Sequence, residues 1–259
     1  MLTAFRELLD YGYLFRTFLR RDISSRYKGS AFGILWSLLN PLAQLLTYSF
    51  VFRYVFRITD IGNYPVFFIA GFIPWFFFST ALVLGASTLV QHSALIEKVY
   101  FPRAVLPLSM TTANLVNMLI ALLIALPYIF WTQGVAPLAL LTLIPTIAAL
   151  FLFAAGLAML LSVVMVYFRD IEFLIGILLN VWFYATPIVY PLSRLPERFR
   201  PWINANPMTP FTNAFRQVLL DGRPVAFSGL ALLLLLGGAC YLGSYAIFLR
   251  LEGRIAEEL

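Results

Sequence analysis

The longest stretch without a charged side chain runs from Ala104 to Phe168, 65 positions bounded by Arg103 and Arg169. Burying a charge in hydrocarbon is costly, so charge-free runs mark where lipid surrounds a chain. Four more runs are long enough to matter: Ala31–Phe52, Ile61–Ile96, Phe173–Ser193 and Pro224–Leu249. A helix needs about 20 apolar residues to cross a ~30 Å hydrocarbon core. The longest run therefore holds two spans and the others one each. This predicts an all-α polytopic membrane protein with six transmembrane helices, at about 31–56, 65–90, 105–131, 138–167, 172–190 and 225–250. The long run divides at Trp131-Thr132-Gln133-Gly134 and Pro137, where interfacial aromatic, polar and turn-forming residues coincide.

Only 12% of residues are charged, about half the soluble-protein average of ~25%, which leaves little mass for a soluble domain. The net charge of +6 could point to nucleic acid, but no basic soluble domain exists to carry it, and nucleic acid is not an expected partner. The excess instead follows topology. With both termini cytoplasmic, the inner side holds 11 Lys and Arg residues and the outer side 7, five of the latter in the loop after span five. The first thirty residues lack a continuous apolar core and do not read as a cleavable signal. Cys240 has no disulfide or metal-site spacing and reads as a packing residue.

Residues 4–25 form an amphipathic pattern. Phe5, Leu8, Leu9, Tyr11, Phe15, Phe18, Leu19 and Ile23 fall on one side, and Arg6, Glu7, Asp10, Thr17, Arg20, Arg21 and Ser24 on the other, with Leu14 and Arg16 off the pattern. A cationic polar face suits a helix on an anionic leaflet, either as a simple anchor or with a further role. Span one gathers Phe32, Trp36, Asn40, Ala43, Thr47, Phe50 and Tyr54 on one stripe, flanked by Ser37, Gln44 and Tyr48. Such a stripe faces protein or a water-filled path, and both helix packing and pathway lining satisfy it. Span five carries a second such cluster: Asn180, Trp182, Phe183, Tyr184, Thr186, Pro187 and Tyr190. Span two contains Gly71 and Pro74, which predict a kink or break. Spans three and four read as scaffold.

Two connecting segments stand out. His92–Arg103 reads as a short helix stopped before Pro102, too apolar for a solvated loop and suited to docking on a partner. Residues 191–224 hold six prolines. There Thr209-Pro210 reads as an N-cap and first helical residue, Phe211, Ala214, Phe215, Val218 and Leu219 line one face, and Asp221-Gly222 ends the helix. This predicts a re-entrant or interfacial helical hairpin on the outer side between spans five and six. Its role is a lipid-lying loop or a gate.

The chain has no P-loop and no GxGxxG, and its one histidine, His92, has no ligand set around it. No acidic residue sits inside an apolar run, which leaves an ion-coupled carrier unsupported. Aromatic faces can stack on sugar rings through CH contacts without charge.

The motifs Arg21-Asp22-Ile23, Arg26-Tyr27-Lys28-Gly29-Ser30, Gly33-Ile34-Leu35-Trp36, Gly71-Phe72-Ile73-Pro74-Trp75, Val99-Tyr100-Phe101-Pro102-Arg103, Tyr167-Phe168-Arg169-Asp170, Trp182–Ile188 and Asn206-Pro207-Met208-Thr209-Pro210 occur in an order that resembles the ABC-2 type permeases of polysaccharide export. These are the membrane subunits of O-antigen and teichoic-acid exporters. The resemblance implies one transmembrane domain over 1–259: an interface helix at 1–30, spans one to five at 31–190, an outer gate hairpin at 191–224, and span six with a cytoplasmic tail at 225–259. It implies a homodimer in the cytoplasmic membrane that encloses a channel for lipid-linked polysaccharide, with two copies of a separate ATPase subunit. No cofactor would bind this chain; ATP and magnesium would belong to the partner. By the resemblance, Phe32, Trp36, Asn40, Thr47, Phe50, Asn180, Phe183 and Tyr184 line the path. Arg20, Arg21, Glu97, Lys98, Tyr100, Phe101 and Arg103 meet the ATPase, and Pro207, Pro210, Phe211 and Phe215 form the outer gate. A permease for a small drug or lipid, and a membrane enzyme or assembly factor of glycan synthesis, are the alternative readings.

Overall fold

The computed structural model describes residues 11–27, 43–44, 46–52 and 62–255. Among these residues the fold is entirely helical. Four helices are long and apolar enough to span a membrane, and the chain is a multi-pass membrane protein.

The amphipathic segment forms α1, Gly12–Tyr27. The first long helix, α2, covers Tyr64–Gln91. Asn63 caps it by accepting from the Val66 amide at 3.4 Å, and Pro65 fits the first turn, where its missing N–H costs nothing. A single turn, α3 (Ser93–Ile96), leads to α4, Val105–Gln133. Gly134 ends α4 with φ of 61°, and its amide donates back to the Phe130 carbonyl. That left-handed closure is where glycine is cheapest. The chain re-enters through α5 (Pro137–Leu141) and continues as α6, Leu143–Tyr167. The division of the long run near Gly134 and Pro137 is thus as the sequence predicts.

After a tight turn at 169–170, α7 covers Ile171–Ala185. Span five was expected to reach 190. It ends earlier because Thr186 turns extended, and Pro187 biases it there. Two 3₁₀ turns, α8 (Arg200–Ala205) and α9 (Met208–Leu219) fill the Pro-rich loop. The last span is α10, Phe227–Leu251.

α2 and α6 form the interior of the bundle. In their most apolar stretches 72% and 56% of residues are buried, against 17% in α4 and 28% in α10, which keep most of their apolar surface facing outward. Lipid offers little drive for apolar side chains to meet each other, so close approach through small residues decides the crossings. Gly85 of α2 faces Ala158 of α6, where an added Cβ would lie 2.7 Å from the Ala158 Cβ. On the other side of α6, Gly156 lies against the backbone of Cys240 and Tyr241, and Gly237 of α10 against the Ala149 carbonyl.

α2 is 28 residues long, roughly 42 Å at 1.5 Å per residue, so its two ends define the two ends of the bundle. At the Gln91 end, Phe18, Leu89, Ile96, Phe101, Met159 and Phe248 form a buried cluster that holds α1 against the spans. Tyr11, Leu14 and Phe15 pack at its edge, so Leu14, off the amphipathic pattern, contributes to docking. At the Tyr64 end, α9 packs against α2 and α6 and buries Phe211, Phe215 and Val218 completely. Trp202 of α8 is 78% exposed at this end, a position typical of interfacial aromatics.

Candidate functional site

A cavity of about 440 Å³ opens between the helical segment 43–52, α2 and α7. Its wall carries Gln44, Tyr48, Trp75, Phe76, Ser79, Thr80, Asn180, Phe183 and Tyr184 beside the aliphatic Val83, Leu84 and Leu179, and among the described residues no charged side chain lines it. Helical periodicity assembles the α2 wall, since Phe72, Phe76, Thr80 and Leu84 recur every four residues on one face. The rings brace one another. Tyr48 lies 5.8 Å from Phe183, Trp75 lies 5.8 Å from Phe183, and Phe183 meets Tyr184 edge-on at 5.1 Å. Phe183 is buried while Tyr184 is 60% exposed, so Phe183 sets the wall and Tyr184 offers a face to whatever enters. Ser79 and Thr80 donate their hydroxyls to the Phe76 carbonyl, at 3.2 and 2.7 Å, and present oxygen acceptors. This wall can stack on apolar CH faces and exchange hydrogen bonds with hydroxyl groups. Among the described residues of the wall there is no acid, base or nucleophile pair for bond making.

Of the predicted path residues, Asn180, Phe183 and Tyr184 meet in this cavity. Thr47 and Phe50 are described but lie outside its wall, and the Thr47 hydroxyl donates to its own Ala43 carbonyl at 2.8 Å. Gln44 and Tyr48, expected to flank the stripe, face the cavity instead. Phe32, Trp36 and Asn40 lie outside the described residues. Trp75, Ser79 and Thr80 were not among the expected path residues, because α2 is apolar on every side and no face stands out by hydropathy along the sequence. The four-residue repeat from Phe72 to Leu84 was the signal.

The candidate docking residues separate into two groups. Glu97, Lys98 and Tyr100 are exposed, Tyr100 at 83%, and Arg20 is exposed on α1. Phe101 points inward, 6.3 Å from the Phe18 ring. The Arg103 amide donates to the Glu252 carboxylate at 2.8 Å, and its guanidinium donates to the Glu252 carbonyl, tying the segment to the end of α10. Arg21 is fastened within the chain too: it hydrogen-bonds His92 Nε2, lies over the Phe18 ring and pairs with Asp22 at 3.6 Å. His92 is therefore a strut between α1 and α2.

In the hairpin, Pro207 precedes α9, Pro210 sits in its first turn, and Phe211 and Phe215 are fully buried, Phe211 5.6 Å from Phe153. Thr209 is not the N-cap. α9 starts at Met208, whose amide donates to Asn206 Oδ1 at 2.9 Å, and the Thr209 hydroxyl donates to the Ile203 carbonyl at 2.6 Å. Asn206 is the organising residue. Its Oδ1 also accepts from Trp182 Nε1 at 2.8 Å, and its Nδ2 donates to the Ala185 carbonyl and the Thr186 hydroxyl, each at 2.9 Å. The hairpin is thereby pinned to the end of α7 that walls the cavity.

Arg216 of α9 is 8% exposed. Its Nη2 donates to the Ile188 carbonyl at 2.7 Å and its Nε to the Phe67 carbonyl at 3.3 Å, with the guanidinium 3.6 Å from the Phe67 ring centroid. Gly71 leaves room for it: an added Cβ there would come within 2.9 Å of the guanidinium. Burial lowers its pKa to about 9, so it remains charged at neutral pH.

Helical spans around an uncharged aromatic and hydroxyl-lined cavity, with a capped helical hairpin at one end, define a membrane protein with a passage or binding groove. The family model described as the ABC-2 type transporter matches residues 13–220, and the chain belongs to that family. It is similar to the O-antigen export system permease protein RfbA of Myxococcus xanthus, 35% identical over 86% of each chain. It is also similar to that of Klebsiella pneumoniae, 32% identical over 96% of this chain and 97% of the other. The polysialic acid transport protein KpsM of Escherichia coli is 27% identical over 78% of this chain and 79% of its own.

Proposed function

We infer that this chain is the permease subunit of an ABC transporter that exports a polysaccharide, of the O-antigen kind, across the cytoplasmic membrane. The observation that carries this reading is the similarity to O-antigen export permeases over nearly the full length of both chains. The cavity chemistry agrees with it. Hydroxyl-rich, uncharged chains are matched by Tyr48, Trp75, Phe183 and Tyr184 rings with Ser79, Thr80, Gln44 and Asn180 as hydrogen-bonding groups.

In this reading the chain crosses the membrane six times, with α7 and the segment around 43–52 belonging to the two spans beyond the four long helices. Both termini are cytoplasmic, and the hairpin 191–224 re-enters from the outer side as the gate. Two copies enclose the path, with the exposed α7 face of Phe173, Ile177 and Val181 available to the second copy or to lipid. Phe211 and Phe215 act as the hairpin's anchor rather than its moving surface. ATP is hydrolysed on two partner subunits, which meet Glu97, Lys98 and Tyr100, with Phe101 and Arg103 holding that surface in shape.

Co-purification with candidate ATPase subunits tests this reading. A stable complex whose ATPase activity responds to the permease is expected, and loss of the permease should trap lipid-linked glycan inside the cell. No complex and unchanged surface glycan would overturn it. Tyr184→Ala should slow export about two- to ten-fold, since one stacking face is worth roughly 0.5–1.5 kcal/mol, while the complex still assembles. Surface glycan measured over time in matched strains checks it. Tyr100→Ala should leave folding intact, because the side chain is 83% exposed, yet weaken ATPase association about ten-fold, an effect read by pull-down. Phe101→Ala, which empties a buried site, should instead cost about 3 kcal/mol of stability, visible as thermal unfolding at lower temperature.

A further inference from the structure

We infer that a second cavity, beside Arg216 at the hairpin end of the bundle, is a binding site for a net-anionic phosphate group. The cavity is about 450 Å³ and is separate from the aromatic groove. Ser193, Asn213, Arg216, Gln217 and Arg223 line it, with Phe67 and Leu220 on its apolar side.

Arg216 carries a charge that no described residue balances. Arg216 is buried and charged, yet both of its hydrogen-bond acceptors are neutral carbonyls. Among the described residues no carboxylate lies within ion-pair distance of it, and its Nη1 has no acceptor. A buried cation without a counter-charge is costly, and carbonyl dipoles offset only part of that cost. Arg223, exposed, adds a second cation to the wall; Asp221, also on the wall, pairs with neither arginine. Among the described residues that line the cavity the balance is one positive charge. Guanidinium groups bind phosphate through paired N–H donors, and the amides of Asn213 and Gln217 and the hydroxyl of Ser193 can serve the remaining oxygens.

The position narrows the ligand. Phe67 belongs to the first turn of α2, so the cavity lies at the mouth of the spans, at headgroup depth. The Phe67 and Leu220 side can take a glycerol backbone while the arginines take the phosphate. An anionic lipid headgroup and a soluble phosphate ester share this chemistry. The site rests only on α2 and α9 being at a membrane surface, and not on what the transporter carries, so its failure would leave the export reading intact.

Native mass spectrometry of the purified permease with its ATPase partner tests the site, using dioleoyl phosphatidylglycerol, dioleoyl phosphatidylcholine and sn-glycerol 1-phosphate as probes. Wild type should retain phosphatidylglycerol about ten-fold more strongly than phosphatidylcholine. Arg223→Gln should remove about ten-fold of that affinity, the equivalent of one charge-assisted hydrogen bond. Arg216→Met should remove more; because Arg216 also ties α9 to Phe67 and Ile188, Arg223→Gln and Asn213→Leu, both at exposed positions, carry the decision. Competition by sn-glycerol 1-phosphate identifies the phosphate as the recognised group. Binding of that ester without a lipid preference assigns a soluble source. Equal retention of both lipids with no binding of the ester, or retention unchanged in Arg223→Gln and Asn213→Leu, overturns the proposal.

Discussion

Gly237→Ala is expected to abolish accumulation of the folded protein, although it adds one methyl group. A Cβ at Gly237 would overlap the Ala149 carbonyl of α6, and its next contacts are the backbone atoms of the same residue at 3.0 and 3.2 Å. A flexible side chain could rotate away; backbone in the centre of a long helix cannot. α10 must therefore lift off α6 at this crossing, which also separates Gly156 from the Cys240 and Tyr241 backbone, about one turn further along α10. Over-packing a fitted site costs about 1–3 kcal/mol, and more when backbone must move. That is a large fraction of a native stability of ~5–15 kcal/mol. Gly238→Ala is the matched control, because nothing lies within 4 Å of its Cβ direction. There the change should be neutral or slightly stabilising, since glycine inside a helix costs about 0.5–1 kcal/mol relative to alanine. Membrane-fraction yield and thermal unfolding of the two variants side by side check the prediction. Similar behaviour would show that α6 and α10 do not cross at Gly237.

Asn206→Ala should release the hairpin of α8 and α9. The substitution removes four hydrogen bonds at once, and it orphans Trp182 Nε1, the Ala185 carbonyl and the Met208 amide. Each buried polar group left without a partner costs about 1–3 kcal/mol; because Asn206 and Trp182 are only half-buried, water recovers part of it, and a loss of about 2–4 kcal/mol is expected. The functional consequence follows from the connection. Trp182 contacts Phe78 edge-on at 5.1 Å and Trp75 at 6.3 Å, so the same residue that holds Asn206 also supports the groove wall. Faster hydrogen exchange in 200–219, with slowed export, is the expected pair of observations. Asn206→Asp separates the roles: it keeps the acceptor for Trp182 and Met208 but loses both donations from Nδ2, and should fall between wild type and alanine. Unaltered exchange in the hairpin of Asn206→Ala would show that the four bonds do not hold it.

The membrane class, the position of the four long spans and the break at Gly134 were legible along the chain. These properties are set locally: the solvent acts on each segment by itself, and a charge or a glycine has its effect where it stands. Three of the groove residues, Asn180, Phe183 and Tyr184, were legible for a related reason, since a polar and aromatic cluster in an otherwise apolar helix must turn towards protein or water. The α2 wall of Trp75, Ser79 and Thr80 was hidden because that helix is apolar all round, and the face it shows to the groove depends on where α6 takes the opposite face.

Residues whose partners are distant in sequence were beyond reach. Phe101 and Arg103 stand beside Tyr100 in one motif, yet only Tyr100 points outward; the difference comes from Phe18 and Glu252, far away on either side. Thr209 has every local mark of an N-cap, but α9 begins a residue earlier, at Met208, whose amide donates to an Asn206 side chain held in place by Trp182 and Ala185. Arg216 reads as one more positive charge in an outer loop until α9 folds onto Phe67 and Ile188 and buries it. By itself the sequence determined which segments are apolar enough to cross a membrane, because transfer free energy sums along a segment. Only the tertiary structure decided which polar groups became anchors and which face a cavity, because a buried hydrogen bond or charge takes its role from the groups brought against it.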